Sequence, residues 1–183
     1  MNNTTPYDFN GTDAGNLVYV IDTLGENLTG AEIGAYYAQC SLSLAQKCKS
    51  ISKIYAIDAF KPYYDSIYDR FFDDKDISMV KLTAQHNIKW SGVEDKIELV
   101  EHYEEIAATK IDDESLDFVY LDAWTEIDNI IPLIERWSKK VRKGGIVSGH
   151  DWETIPVQDA ILEYARKNNI DVRNVNNTWM WYV

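Results

Sequence analysis

The chain of 183 residues holds 45% hydrophobic and 26% charged side chains, the mix of one globular domain, which excludes a disordered tail, a collagen-like repeat and a coiled coil. Acidic residues number 30 against 18 Lys plus Arg, a formal net charge of −12, and a field of that sign repels nucleic acid and anionic membrane surfaces. No apolar run approaches the roughly 20 residues that cross a bilayer.

The opening stretch MNNTTPYDFNGTDAGN has neither the basic nor the apolar region of a signal peptide, so a soluble, cytoplasmic protein is expected. Ala14, Leu17, Val18, Ile21 and Leu24 recur at helical spacing and predict a cap helix over about 12–25, with Thr12 or Asp13 at its start and Gly25 at its end. A short buried strand, Ala31 to Ile33, follows and stops at Gly34. Ser41 to Cys48 reads as a helix; Cys40 and Cys48 lie about 12 Å apart along such a helix, too far for a disulfide, and are expected to be free thiols. Lys53 to Ile57 is a strand closed by Asp58.

Tyr64, Ile67, Tyr68 and Phe71 predict a helix ended by the acidic cluster Asp73, Asp74 and Asp76, and residues 79–90 a further one. Ile97 to Val100 and Leu116 to Leu121 are strands, the second closed by Asp122. Ile127, Ile130, Ile131, Ile134, Trp137 and Val141 line one helix face, which Gly144-Gly145 breaks before the strand Ile146 to Ser148. Val157, Ala160, Ile161, Tyr164 and Ala165 form the last helix, with Pro156 in its first turn. Strands at 170–175 and 178–183 flank Asn176-Asn177, close enough for an antiparallel hairpin. This alternation predicts one domain over 1–183, an α/β fold with a mostly parallel sheet, helices on both faces and a C-terminal hairpin.

Ligands of such sheets bind beyond the carboxyl ends of the strands. Four polar stations fall there: Glu32 to Gly34, Asp58, Asp122, and His150-Asp151. Gly34 would let a ligand approach the backbone, and the helix after it offers free N–H groups; an ordinary strand-to-helix turn is the plainer alternative. Asp58 could accept both hydroxyls of a ribose, or merely cap a helix, and the two stations together favour a ribose-containing cofactor. Asp122 and Asp151 are one crossover apart and should converge at one edge. With His150 they could bind a divalent cation; His150 could instead be a general base, its ordinary pKa of about 6.5 suiting that role; or the pair could only fix its loop. Trp124 and Trp152 each follow such a strand and would wall the acceptor pocket, cover an adenine, or pack. The region from Lys61 to Trp90 is placed to shape the acceptor pocket.

EIGAYYAQCSLSLA followed by IYAID, and downstream LDFVYLDAWTE and KGGIVSGHDW, resemble the class I S-adenosylmethionine-dependent methyltransferases from about Gly30 to Val183. The likeness is closest to the catechol O-methyltransferase-like enzymes and a small bacterial family whose late strand ends in Gly-His-Asp. It implies a Rossmann-like, seven-stranded domain that moves a methyl group from S-adenosylmethionine to an oxygen of a small-molecule or sugar acceptor. It implies a first cofactor motif at Glu32 and Gly34, an aromatic at the methionine end in Tyr36, and a ribose acid in Asp58. Glu101, His102 and Tyr103 fall on the loop that borders the adenine, and Asp122 and Trp124 lie beside the cofactor. In metal-dependent relatives the positions of Asp122, His150 and Asp151 hold a cation such as Mg²⁺. His150 and Asp122 are the catalytic candidates.

The sequence departs from that pattern at four places. Ala38 stands where relatives have Gly. Cys40 stands where a serine often holds the cofactor carboxylate, which leaves Ser41 as the substitute if the turn shifts. Thr125 replaces a basic lysine, and His150 replaces a carboxylate. A catalytically silent cofactor-binding module, and a metal-dependent hydrolase using Asp122, His150 and Asp151, are the alternatives. Nothing in the sequence speaks to oligomeric state.

Overall fold

The computed structural model describes residues 15, 17–65, 70–123 and 127–183. Expectations at Thr12, Asp13, Ala14, Ile67, Tyr68, Trp124 and Thr125 lie outside the described residues. The elements in chain order are α1 (Val18–Asp22), β1 (Leu28–Ile33), α2 (Gln39–Lys47), β2 (Ile51–Asp58), β3 (Tyr63–Asp65), β4 (Arg70–Phe72), α3 (Asp74–Lys89), β5 (Ile97–Glu101), α4 (Glu104–Ala108), β6 (Leu116–Leu121), α5 (Ile127–Ser138), β7 (Val141–Gly149), α6 (Ile155–Asn168), β8 (Arg173–Val175) and β9 (Thr178–Tyr182). No described helix is long and apolar enough to cross a membrane.

Seven strands form one sheet in the order β5-β2-β1-β6-β7-β9-β8. The first five run parallel, while β9 is antiparallel to β7 and to β8. Strands β1 and β6 are buried on both faces, and β6 reads LDFVYL because a covered parallel strand tolerates an almost continuous apolar run. Leu42, Ile54 and Phe118 belong to the core beneath α1, α2 and α3. Val119, Ile134 and the fully buried Trp137 belong to the core on the opposite face, with Trp179 and Trp181. Neither Cys40 nor Cys48 is in a disulfide, and Cys48 Sγ lies 2.9 Å from Asp22 Oδ1.

Residues 63–72 depart from the sequence pattern. The expected helix there is a β-hairpin in which Tyr63 pairs with Phe72 and Tyr64 with Phe71. A separation of seven residues suits two turns of helix, but it also suits positions facing each other across two antiparallel strands. Aromatic side chains favour the strands, and the Tyr63 and Phe72 rings stack at 4.9 Å across them. The acidic cluster therefore starts a helix instead of ending one. Asp73 caps α3, its carboxylate accepting from the backbone N–H groups of Lys75 and Asp76 at 2.9 Å each. Gly144-Gly145 is likewise no break, since both glycines sit inside β7 near an irregularity in its register with β6. Val141, expected on a helix face, opens that strand.

The chain steps outward from β1 through β2 to β5, then crosses back to β6. The strand order therefore reverses between β1 and β6, and a crevice opens beyond their carboxyl ends. Gly34 stands at that edge with φ +90°, and a Cβ built on it would lie 2.3 Å from the Asp122 carbonyl oxygen and 2.6 Å from the Ala123 Cα. The glycine is required by protein backbone, where the sequence had suggested room for a ligand. Gly34→Ala is expected to cost about 3 kcal/mol in urea unfolding, from strained backbone and a contact that cannot relax; a cost below about 1 kcal/mol would contradict this packing.

Candidate active site

The carboxyl ends of the parallel strands surround a cavity of about 680 Å³ whose lining includes Gly34, Tyr36, Asp58, His102, Tyr103, Asp122 and Asp151. Phe60, Tyr63 and Phe72 add an aromatic wall from the β3–β4 side. The volume and the apolar lining with a few convergent polar groups suit a small-molecule site.

The first strand-to-helix turn is built on Glu32. This side chain is only 2% exposed, and its Oε2 accepts from the Ser41 backbone N–H at 2.9 Å and from the Ser41 hydroxyl. It thereby satisfies one of the orphan donors at the start of α2. Ala38, the residue before that helix, has φ +60°, in the left-handed region where a glycine would sit without strain. Ser41 is fully buried with its hydroxyl turned to Glu32, and neither residue lines the cavity. Ser41, expected to contact the cofactor, is thus engaged with Glu32, and both side chains hold the turn from behind.

Burial pushes the Glu32 carboxyl up to about 8, although the Ser41 bonds favour its charged form. Between its ordinary value near 4.5 and 8 the unfolded chain has lost a proton that the folded chain keeps, so this group's contribution to stability falls as pH rises through that window. Glu32→Gln removes the proton from both states. Its stability relative to the natural chain is expected to improve steadily from about pH 5 to about pH 8 in urea titrations; a constant difference across that range would contradict a buried, late-titrating carboxyl.

Asp58 ties three strand ends together. Its Oδ2 accepts from the Tyr36 N–H at 2.9 Å and its Oδ1 from the Phe60 N–H at 2.8 Å, while its backbone carbonyl accepts from the His102 N–H at 3.0 Å. Burial raises its carboxyl above the usual range against these two side-chain bonds. A carboxylate has about four acceptor sites, so two bonds leave it capacity for hydroxyl groups from the cavity. Tyr36, with φ +47°, packs its ring on Tyr37 at 4.0 Å, and burial raises its phenol. His102 and Tyr103 form the opposite rim, where Lys110 contacts the His102 ring.

The second cluster lies beyond β6 and β7. The Asp122 N–H donates to the Ile33 carbonyl at 2.8 Å, and the His150 N–H to the Leu121 carbonyl at 3.0 Å. His150 Nδ1 lies 3.0 Å from Asp151 Oδ1 and 3.4 Å from Asp122 Oδ1. Asp151, at φ +63°, is held below the usual carboxylate range chiefly by its hydrogen bond with His150. The three side chains offer ligand atoms within 4.8 Å of one another, and two carboxylates with an imidazole suit a divalent cation. The convergence expected of residues one crossover apart is present.

Asn177 was missed. Its side chain reaches His150 Nε2 at 3.2 Å, whereas the sequence signal at Asn176-Asn177 pointed only to a turn. The region from Lys61 to Trp90 does supply cavity wall, through Tyr63, Phe72, Ile77 and Val80, although its hairpin was not expected. Trp124 lies outside the described residues, and Trp152 packs against the core of the opposite face.

A sequence profile described as Methyltransferase domain matches residues 31–152. The chain belongs to this family. Membership bears out the resemblance to the class I S-adenosylmethionine-dependent methyltransferases. No curated protein matches the sequence. Among solved structures, an O-methyltransferase from Bacillus cereus in complex with SAH is similar at 15% identity and TM-score 0.69, over 97% of this chain and 84% of that one. TomG, an O-methyltransferase from Streptomyces achromogenes involved in tomaymycin synthesis and solved with SAM, is similar at 12% identity and TM-score 0.67, over 93% and 79%. Precorrin 8w decarboxylase from Methanobacterium thermoautotrophicum is similar at 16% identity and TM-score 0.65, over 94% and 90%. These likenesses establish a shared fold.

Proposed function

We propose that the methyltransferase acts on an oxygen of a small-molecule or sugar acceptor, with S-adenosylmethionine as donor. The observation that carries this reading is that one cavity joins the turn at Gly34 and Tyr36, the Asp58 carboxylate and the Asp122–Asp151 edge. The residues fit the cofactor: Asp58 keeps acceptor capacity that two ribose hydroxyls would use, Tyr36 would back the methionine end, and His102 and Tyr103 would border the adenine. When bound, the cofactor supplies an electrophilic methyl group on a positively charged sulfur.

The chain's own part is to hold the acceptor in line, exclude water and take a proton. The hydroxyl proton of the acceptor would pass to the Asp122–His150–Asp151 cluster, whose two carboxylates line the cavity. A divalent cation such as Mg²⁺ would be held by Asp122 and Asp151 and would supply positive charge to the acceptor oxygen. A net charge of −12 favours a small acceptor over nucleic acid.

Calorimetry tests the cofactor half of this reading with S-adenosylhomocysteine and its analogue lacking the ribose 2′ and 3′ hydroxyls. Hydrogen bonds to a charged acceptor contribute about 1.5–3 kcal/mol, so the natural chain should bind the analogue about ten- to a hundredfold more weakly. Asp58→Ala, which also loosens the Tyr36 turn, should bind both compounds weakly and nearly equally, and the double-mutant cycle separates the two effects. A natural chain indifferent to the hydroxyls would place the ribose elsewhere.

A further inference from the structure

The hydrogen bonds around Asn177 fix which nitrogen of His150 carries the proton. The Glu153 backbone N–H can only donate, and it lies 2.8 Å from Asn177 Oδ1, so the oxygen end of this amide is settled. The other end, Nδ2, is a pure donor and approaches His150 Nε2 at 3.2 Å. That ring nitrogen must therefore present a lone pair, and a neutral imidazole with a bare Nε2 carries its hydrogen on Nδ1. Nδ1 is the atom that faces Asp151 and Asp122, at 3.0 and 3.4 Å. The Asn177 amide also bears on Asp151 and helps to hold that carboxyl low.

The frame around this contact is firm. The Trp152 N–H donates to the Asn177 carbonyl at 3.1 Å, and Trp179 Nε1 donates to the His150 carbonyl at 2.7 Å. A Cβ on Gly149 would lie 2.3 Å from the Trp179 ring, so the end of β7 is pressed closely against β9. Asn176, at φ +53°, turns the chain so that Asn177 meets this loop.

We propose that Asn177 is a positioning residue that holds His150 as a hydrogen-bond donor to the two acids. The N–H stands between carboxylates that would otherwise repel one another. In this tautomer Nδ1 has no lone pair for a cation and Nε2 is occupied by Asn177. Asp122 and Asp151 are thus the groups that receive a proton or hold an ion, with His150 set between them. This deepens the methyl-transfer reading, on which its functional meaning rests, but its test reads the ring and not turnover.

The experiment is nitrogen NMR of ¹⁵N-histidine-labelled full-length chain with chelator present, at a pH of about 9, above the ordinary imidazole range. The His150 signals are identified by their loss in His150→Gln. The natural chain is expected to show hydrogen on Nδ1 and a bare, downfield Nε2. Asn177→Asp preserves the acceptor for Glu153 but offers an oxygen to Nε2, and should move hydrogen onto that nitrogen. A natural chain with hydrogen on Nε2, alone or together with Nδ1, would overturn the proposal, and so would a folded Asn177→Asp chain with Nε2 still bare. The spectrum of the natural chain decides the matter even if the variant fails to fold. Failure of cofactor binding would leave this result intact, so the two readings fall separately.

Discussion

Where the strand order reverses, the backbone after β1 meets the backbone after β6, and they can close only because position 34 lacks a side chain. The Asp122 N–H reaches the Ile33 carbonyl at 2.8 Å across this contact, and the first turn starts from it. Asp58 then draws the turn toward β2 through the Tyr36 N–H, and the His102 N–H draws the end of β5 toward Asp58. One close approach of backbone thereby sets the spacing among the polar stations that line the cavity. It also explains why the acid of β6 and the turn of β1 can face the same ligand.

The acidic side chains of the site divide their work between fold and ligand. Glu32 is spent on the fold, buried against the start of α2, and its raised pKa records the cost of that burial. Asp58 does both, holding two backbone N–H groups and still lining the cavity. Asp122 and Asp151 face the cavity with an imidazole beside them. From β1 through β2 to the β6–β7 edge the carboxylates open onto the cavity: Glu32 stays behind it, Asp58 lines it while accepting from two backbone N–H groups, and Asp122 and Asp151 line it.

Much of this was legible in the sequence. The strands betray themselves as short β-branched or apolar runs, and each candidate acid lies at or just beyond the carboxyl end of one, where the chain leaves the core. The failures share a physical cause. Tyr64 and Phe71 are spaced for either a helix or a hairpin, and only their stacking neighbours, Tyr63 and Phe72, decide between the two. Nothing in the local sequence of Ser41 shows that Glu32, nine residues earlier, accepts from its hydroxyl. Asn177 meets His150 over a separation of 27 residues, and only the docking of β9 on β7 brings them together. Pairings made by the closed sheet leave no periodicity to read.

In the proposed site the cofactor would lie in one cavity between Asp58 and the Asp122–His150–Asp151 edge. A crystal structure of the chain with S-adenosylhomocysteine tests it most directly. The account predicts ribose hydroxyls on the Asp58 carboxylate, the adenine beside His102 and Tyr103, and the sulfur turned toward Asp122. Ligand density outside this cavity, or a ribose that leaves Asp58 bonded only to Tyr36 and Phe60, would contradict it.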